Sequence, residues 1–435
     1  MPASDSPLQN VDGDSLRQTH AAIDAVWRME SAKVIAGLAR IVRDVGLAEE
    51  LAQDALVAAL EQWPASGVPD NPGAWLMAAA KHRAIDHFRR GEMLERKHAE
   101  IGRDIEAERE RMVADLHAAI DDDIGDDLLR LIFTACHPVL TRDSRVALTL
   151  RLLGGLTTDE VARAFIVPEK TIAQRIVRAK RTLSEAQVPF EIPRGDDRTE
   201  RLSSVLEVIY LIFNEGYSAT AGEDWMRPTL CDEALRLGRI LAELAPQEPE
   251  VHGLVALMEI QGSRSRARVG PSGEPILLLD QDRSRWDQLL IRRGLAALER
   301  AERLGGRRSS YSLQASIAAC HARARTADQT DWRRIVELYG ELAQLTQSPI
   351  VELNRAVAVS MAFGPAAGLE IVEALRSEES LKEYHLLPSV RGDLLRKLGR
   401  LDEARVEFEN AAAMARNARE RELLLERARM CAAAN

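Results

Sequence analysis

Residues 151–183, RLLGGLTTDEVARAFIVPEKTIAQRIVRAKRTL, carry two short helical patterns separated by a turn. Thr157 followed three residues later by Glu160 is a capping box, and Val161, Ala162 and Phe165 give the helix it starts an apolar face. Pro168 stands where a second helix begins, and Ile172, Ile176, Ala179 and Leu183 recur as one buried stripe. Opposite that stripe lie Thr171, Gln174, Arg175 and Arg178, side chains able to reach base edges or phosphates in a major groove. From Lys170 to Arg181 the chain holds Lys170, Arg175, Arg178, Lys180 and Arg181, and no acid. A basic amphipathic helix on its own is most simply a solvated face. A capped partner helix one short turn away tips the balance, and the pair reads as a DNA-binding helix-turn-helix. The turn has Ile166 where a glycine is usual. A β-branched residue is a poor occupant of positive φ, so the sequence predicts another turn geometry there.

The whole-chain charge runs the other way. A formal net charge of -10 is not the footprint of a protein that coats nucleic acid without selectivity. The acid is unevenly placed, with Asp121, Asp122, Asp123, Asp126 and Asp127 just before the helix-turn-helix and Glu106, Glu108 and Glu110 upstream. A molecule acidic overall but basic along two helices needs a larger partner to deliver it to DNA. A chain of 435 residues has room for about three domains of ordinary size. Aromatics make up only 4 %, alternating strand patterns are absent, and the fold class predicted is all-α. No apolar run approaches the roughly 20 residues that span a bilayer, and the polar first 19 residues do not read as a signal peptide. Cys136, Cys231, Cys320 and Cys431 lie far apart, without zinc or redox spacing, as reduced thiols of a cytoplasmic protein do. Cys136 beside His137 reads as a core thiol at a polar helix end.

Upstream, residues 48–63 form a strong helix pattern with an acidic first half, stopped by Pro64. A loop over 65–72 follows, and then a second pattern from Trp75 to Arg90. On its wheel Leu76, Ala80, Ala84 and Phe88 share one side, and His82, Arg83, Asp86, Arg89 and Arg90 the other. Alone, that polar side is an exposed face with local ion pairs.

The order of these patterns resembles the sigma-70 family, specifically the extracytoplasmic-function group that keeps sigma regions 2 and 4. Glu50-Leu-Ala-Gln-Asp54 is similar to the region 2 signature of the helix that docks on RNA polymerase, and Trp75 through Arg90 to the helix that meets the minus-ten element. The helix-turn-helix is similar to region 4, which reads the minus-thirty-five element. The resemblance implies core polymerase and promoter DNA as partners, no cofactor and no catalysis. It implies polymerase contacts at Leu47, Glu50, Leu51, Gln53, Asp54 and Leu56. Minus-ten contacts would fall at Asn71, Trp75, His82, Arg83, Asp86, Arg89 and Arg90. Minus-thirty-five contacts would fall at Lys170, Thr171, Gln174, Arg175, Arg178 and Arg181. His82 replaces the family's usual Asn, which puts that contact in question. Flipped bases captured by the 65–72 loop would hold DNA open without ATP.

Beyond Gln187 the chain continues past a minimal member of that group. Pro189, Pro193 and Gly195 mark a linker, and 202–286 holds three buried-helix patterns. Asn214, Glu215 and Tyr217 interrupt an apolar run, either as a ligand pocket or, more plainly, as a capped helix end with Gly216 at its C-terminal turn. The basic run Arg264 to Arg268 reads as an exposed loop, and 280–286 as a helix cap with local ion pairs or a site for an anion or partner. Gly392, Gly399, Ala404, Phe408 and Ala411 have tetratricopeptide spacing, although Arg416 stands where the closing proline belongs. The domains expected are a disordered tail over 1–19, region 2 over 20–92, an acidic linker over 93–125 and region 4 over 126–187. A helical domain over 188–290 and tetratricopeptide-like repeats over 291–435 follow. The extension resembles that of a known subgroup of the family, and it implies a regulatory role with a protein or ligand partner. The alternative is a stand-alone helix-turn-helix regulator with a tetratricopeptide sensor, which leaves the region 2 signature unexplained.

Overall fold

The computed structural model describes residues 9–96 and 124–433, and the chain divides into two compact units between Val208 and Ile209. The described residues are helical throughout, with no strand and only two isolated bridges, Gly222 to Asn417 and Val269 to Pro275.

The first unit opens with α1 (Gln9–Val42), α2 (Val45–Ser66) and α3 (Pro72–Arg96). Each buries a small-residue stripe: Ala36 and Ala39 on α1, Ala48, Ala52, Ala55 and Ala59 on α2, and Ala80 and Ala84 on α3. Alanine at helical spacing lets the three axes approach closely, and Trp63 and Leu76 fill what remains. Asp44 caps α2 by accepting the Leu47 N–H at 2.8 Å. After the undescribed stretch come α4 (Ile124–Ala135), α5 (Arg142–Leu152), α6 (Thr158–Phe165) and α7 (Glu169–Glu185). The next helix, α8 (Gly195–Tyr217), carries the division between the units within it. Its first half belongs to the first unit. Arg201 donates to the Phe133 carbonyl at 3.2 Å, and the Ser204 hydroxyl to that of Cys136 at 2.6 Å.

The second unit is built around α10 (Pro249–Gly262), which follows α9 (Pro228–Leu244). Every residue of α10 from Val251 to Ile260 is buried. A helix buried on all sides is a core element, and α9, α11 (Gln288–Arg303) and α12 (Ser310–Arg323) surround it. The chain then runs on through α13 (Trp332–Thr346), α14 (Pro349–Phe363), α15 (Pro365–Leu375), α16 (Leu386–Lys397), α17 (Leu401–Met414) and α18 (Ala418–Ala433), each packed on the next. Where α16 meets α17, a Cβ on Gly392 would stand 3.0 Å from the Phe408 ring. A side chain there would push the ring by a few tenths of an ångström, and burial of that ring is worth about 2–3 kcal/mol.

Several expectations need correction. Helix α1 starts at Gln9, so residues 9–19 are helical rather than a disordered tail; no proline lies between Pro7 and Val42, and a helix nucleated on the apolar face downstream propagates through them. Pro64 does not stop α2. It sits in the last turn, and Gly67 closes the helix by donating to the Trp63 carbonyl, which leaves 67–71 as the loop. The apolar run does end a helix as expected: α8 stops at Tyr217, with Gly216 in its last turn. A Cβ there would lie 2.6 Å from the Cys231 backbone nitrogen, so glycine is required for close approach. The Arg264 to Arg268 run is not an exposed loop: Arg264 and Ala267 are buried and Arg268 is half-buried. Over 280–286, Asp282 accepts from Ser284 as a local cap, but Arg283 reaches distant carbonyls instead of a local acid.

Candidate nucleic-acid interface

The helix-turn-helix forms as its residues dictate. Thr157 Oγ1 accepts the Glu160 N–H at 3.1 Å, and Glu160 Oε2 accepts the Thr157 N–H at 2.8 Å. The carboxyl of Glu160 is partly desolvated, which works against its charge. The Thr157 N–H and Arg28 outweigh that and hold it below the usual range. Helix α6 ends at Ile166 with φ 51° and ψ 50°, the left-handed conformation that the sequence argued against. The correction has a physical basis. The turn must reverse the chain within three residues before Pro168, and Ile166 and Val167 donate back to Arg163 and Ala162 to close it. An isoleucine accepts the strain, about 1–2 kcal/mol, because the fold on both sides dictates the turn.

On α7, Ile172, Ile176, Ala179 and Leu183 are buried, and Lys170, Gln174, Arg178 and Arg181 are exposed. Thr171 and Arg175 are half-buried. Two of these cations are already engaged: Arg175 pairs with Asp143 at 3.0 Å and Arg181 with Glu185 at 2.7 Å. Lys170 and Arg178 form no ion pair among the described residues. They are the positions most open to a polyanion.

In region 2, Glu50 and Asp54 are exposed one helical turn apart on α2, with exposed Val57 and Leu60 beside them. Two carboxylates and two apolar side chains thus share one exposed face of α2. Leu47 and Leu56 are half-buried, Leu51 is buried beneath the face, and Gln53 donates to Glu49 at 2.6 Å. Asn71 caps α3 by accepting the Ala74 N–H at 3.1 Å. Trp75 meets Trp63 edge to face at 5.2 Å, which leaves its ring half-buried. His82, Asp86 and Arg89 are exposed and Arg83 is half-buried; the Arg90 side chain and Asp121 to Asp123 lie outside the described residues. Cys136 is buried and bonds Thr149 at 3.4 Å, and burial pushes its thiol up to about 11. A thiol held that way is core, not nucleophile.

One residue escaped the sequence reading. Glu49, 3 % exposed, joins the two regions: its carboxylate takes Arg151 of α5 at 2.7 Å and Lys180 of α7 at 2.5 Å. Arg28 of α1 meets Glu160 at 2.6 Å, and Arg40 meets the buried Asp127 at 3.0 Å. The signal for Glu49 was present. It sits in the α2 stripe of Val45, Ala48, Ala52 and Ala55, and a carboxylate in an apolar stripe requires a buried cation.

Among known proteins, Sigma-70 region 2 matches residues 27–92, Sigma-70 region 4 matches 130–183, and a family of unknown function, DUF6596, matches 201–302. The chain is 44 % identical over 389 residues to the uncharacterized protein R00370 of Rhizobium meliloti (strain 1021), covering 89 % of this chain and 90 % of that one. It is 30 % identical over 183 residues to the ECF RNA polymerase sigma factor SigK of Mycobacterium bovis (strain BCG / Pasteur 1173P2), covering 41 % of this chain and 90 % of SigK. The SigK of Mycobacterium ulcerans (strain Agy99) is 31 % identical over 153 residues, or 34 % of this chain and 75 % of that one. Two sigma regions in order, the helix-turn-helix built from them and a relative matched over nearly its full length place this chain in the extracytoplasmic-function group of the sigma-70 family, with a DUF6596 extension.

Proposed function

We propose that the protein directs core RNA polymerase to promoters, with α2 on the polymerase, the 67–71 loop and α3 at the minus-ten element, and α7 at the minus-thirty-five element. The observation that carries this reading is the pair of unmatched faces in one unit: exposed Glu50, Asp54, Val57 and Leu60 on α2, and exposed Lys170, Gln174 and Arg178 on α7. A fully engaged basic helix or a buried α2 face would leave nothing to offer either partner.

Promoter engagement on this reading requires the two regions to part. The elements they read lie about 25 base pairs apart, roughly 85 Å along duplex DNA. Regions tied by Glu49–Lys180 at 2.5 Å and Arg28–Glu160 at 2.6 Å cannot reach both. The connector between them is long enough, since residues 97–123 extend to about 90 Å at most. Holding the ion pairs closed off the polymerase and releasing them on it would restrain the free protein, and its overall acidity does the same.

The region from residue 188 onward serves regulation on this reading, with 188–290 a helical domain and 291–435 tetratricopeptide-like hairpins that take a protein or ligand partner. The close Gly392–Phe408 crossing supports the repeat assignment. Arg201 and Ser204 pack on region 4, so a truncation that tests regulation should retain residues to about 208 rather than end at Gln187.

The deciding experiment is co-purification with core polymerase. The double charge reversal Glu50→Arg, Asp54→Arg should abolish it while helical content by circular dichroism stays at the parent level. A double variant that still binds core and transcribes would falsify the assignment of α2. Arg178→Ala should then weaken initiation by about 1–3 kcal/mol where it touches a base. If it touches only phosphate, it should weaken all promoters alike and flatten the salt dependence.

A further inference from the structure

In the second unit, three arginines gather around aromatic rings, and none of them forms an ion pair with a carboxylate among the described residues. Arg264 is 6 % exposed, and its guanidinium makes no hydrogen bond or ion pair there; its Nε is fully enclosed and orphaned. Its Cζ lies 5.8 Å from the centre of the Trp286 ring, and that of Arg283 lies 4.8 Å from the same ring. Arg283 spends its fork on neutral acceptors: the carbonyls of His321 at 2.6 Å and Ala324 at 2.8 Å, and Thr330 Oγ1 at 3.3 Å. Arg268 stacks on Tyr217 at 3.6 Å, with Trp225 at 5.7 Å, and its Nε is orphaned too.

The acids nearby in sequence have other work. Glu215 pairs with Arg227, Glu259 with Arg239 at 2.8 Å, Asp282 accepts from Ser284, and Asp287 caps α11. Asp328 acts on Arg283 from a distance without forming an ion pair, and Arg264 and Arg268 are left chiefly with the other arginines. Burial and the nearby Arg264 hold the guanidinium groups of both Arg268 and Arg283 below their ordinary range. Burial, Arg264 and Arg283 together push the His321 imidazole down to about 3. Three further polar atoms of buried residues, Gln281 Oε1, Trp286 Nε1 and His321 Nδ1, also lack partners.

An interior guanidinium with no counter-charge is among the costliest features a fold can keep, and buried polar atoms are nearly always satisfied. Stacking an arginine on an aromatic face fixes its plane and leaves the fork edge open for a bidentate anion. We propose that this cluster is a binding site for a small molecule bearing an oxyanion, a carboxylate or a phosphate, gripped by the Arg264 fork with Arg268 and Arg283 supplying charge around it. The shielding of Arg264 limits the occupant to a compact anionic group, and the indole of Trp286 offers it one flat wall. The site stands on the second unit alone and does not depend on the reading of the sigma regions.

The test is binding to the full-length protein in chloride buffer at constant ionic strength, with inorganic phosphate and succinate as separate probes. Calorimetry should give saturable binding of at least one, with the melting temperature rising by about 5–10 °C at a hundredfold excess over Kd. A response to phosphate alone assigns a phosphoryl ligand, and a response to succinate alone a carboxylate. Arg264→Met should weaken binding at least tenfold, while Arg285→Met, an exposed neighbour in the same turn, should leave it unchanged. If Arg264→Met fails to fold, Arg264→Lys keeps the charge without the fork and should weaken binding similarly. Absence of saturable binding of both probes, or equal affinity in the parent and the Arg264 variants, overturns the proposal.

Discussion

Glu49 in the first unit and Arg264 in the second are both shielded from water, and their surroundings are opposite. Glu49 has two cations and a glutamine on its carboxylate, so its desolvation is offset by charge drawn from two other helices. Arg264 has aromatic carbon and other arginines. The first arrangement is a latch: charges that meet inside the chain and can separate when larger partners compete. The second is a cationic cluster with no ion-paired carboxylate among the described residues, the arrangement on which the anion-site proposal rests. A buried charge is thus informative through its partners. With them it ties elements together, and without them it points to a ligand.

The largest expected effect tests the latch. Glu49→Ala leaves Arg151 and Lys180 without their shared carboxylate, and breaking a buried pair from one side costs about 3–5 kcal/mol. Both cations are partly exposed and can turn to water, so a loss near the lower end should appear in chemical denaturation of the first unit. An unchanged midpoint would show that Glu49 and Arg264 are equally isolated, and the comparison would collapse.

A smaller effect tests the cationic cluster through pH. The depressed imidazole of His321 stays neutral in the fold down to about 3, while in the unfolded chain it takes a proton below about 6.5. The unfolded state then binds more protons, so stability is full above pH 6.5 and falls as pH drops from there toward 3. The slope is at most about 1.4 kcal/mol per pH unit. Melting at pH 7, 6 and 5 should show this loss in the parent and a flatter profile in His321→Gln. Parallel profiles would mean that neither burial of the ring nor the nearby Arg264 and Arg283 hold it neutral.

The smallest effect contrasts charge with backbone strain. Ile166→Gly removes the penalty of a β-branched side chain in the left-handed region. Because that side chain is exposed, little packing is lost, and the first unit should gain about 1 kcal/mol. If stability drops instead, the Ile166 side chain contributes packing that outweighs its strain, and the turn is not where the first unit holds its tension.

The all-α class, the Thr157–Glu160 capping box, the Ile172 to Leu183 stripe and the order of the two sigma regions were legible in the sequence alone. The capping box and the stripe rest on residues three to eleven positions apart, and helix geometry turns such spacings directly into shared faces. Tertiary structure decided the rest. Glu49 meets Arg151 across 102 positions, and Arg283 reaches the carbonyl of His321 across 38. A basic run such as Arg264 to Arg268 looks like a solvated loop until α10, α11 and α12 close around it. Likewise, the left-handed turn at Ile166 is set by the helices on either side, against the preference of its own side chain. Burial and charge pairing are properties of the assembled chain, since they depend on which distant side chains remove water from a group and which replace it.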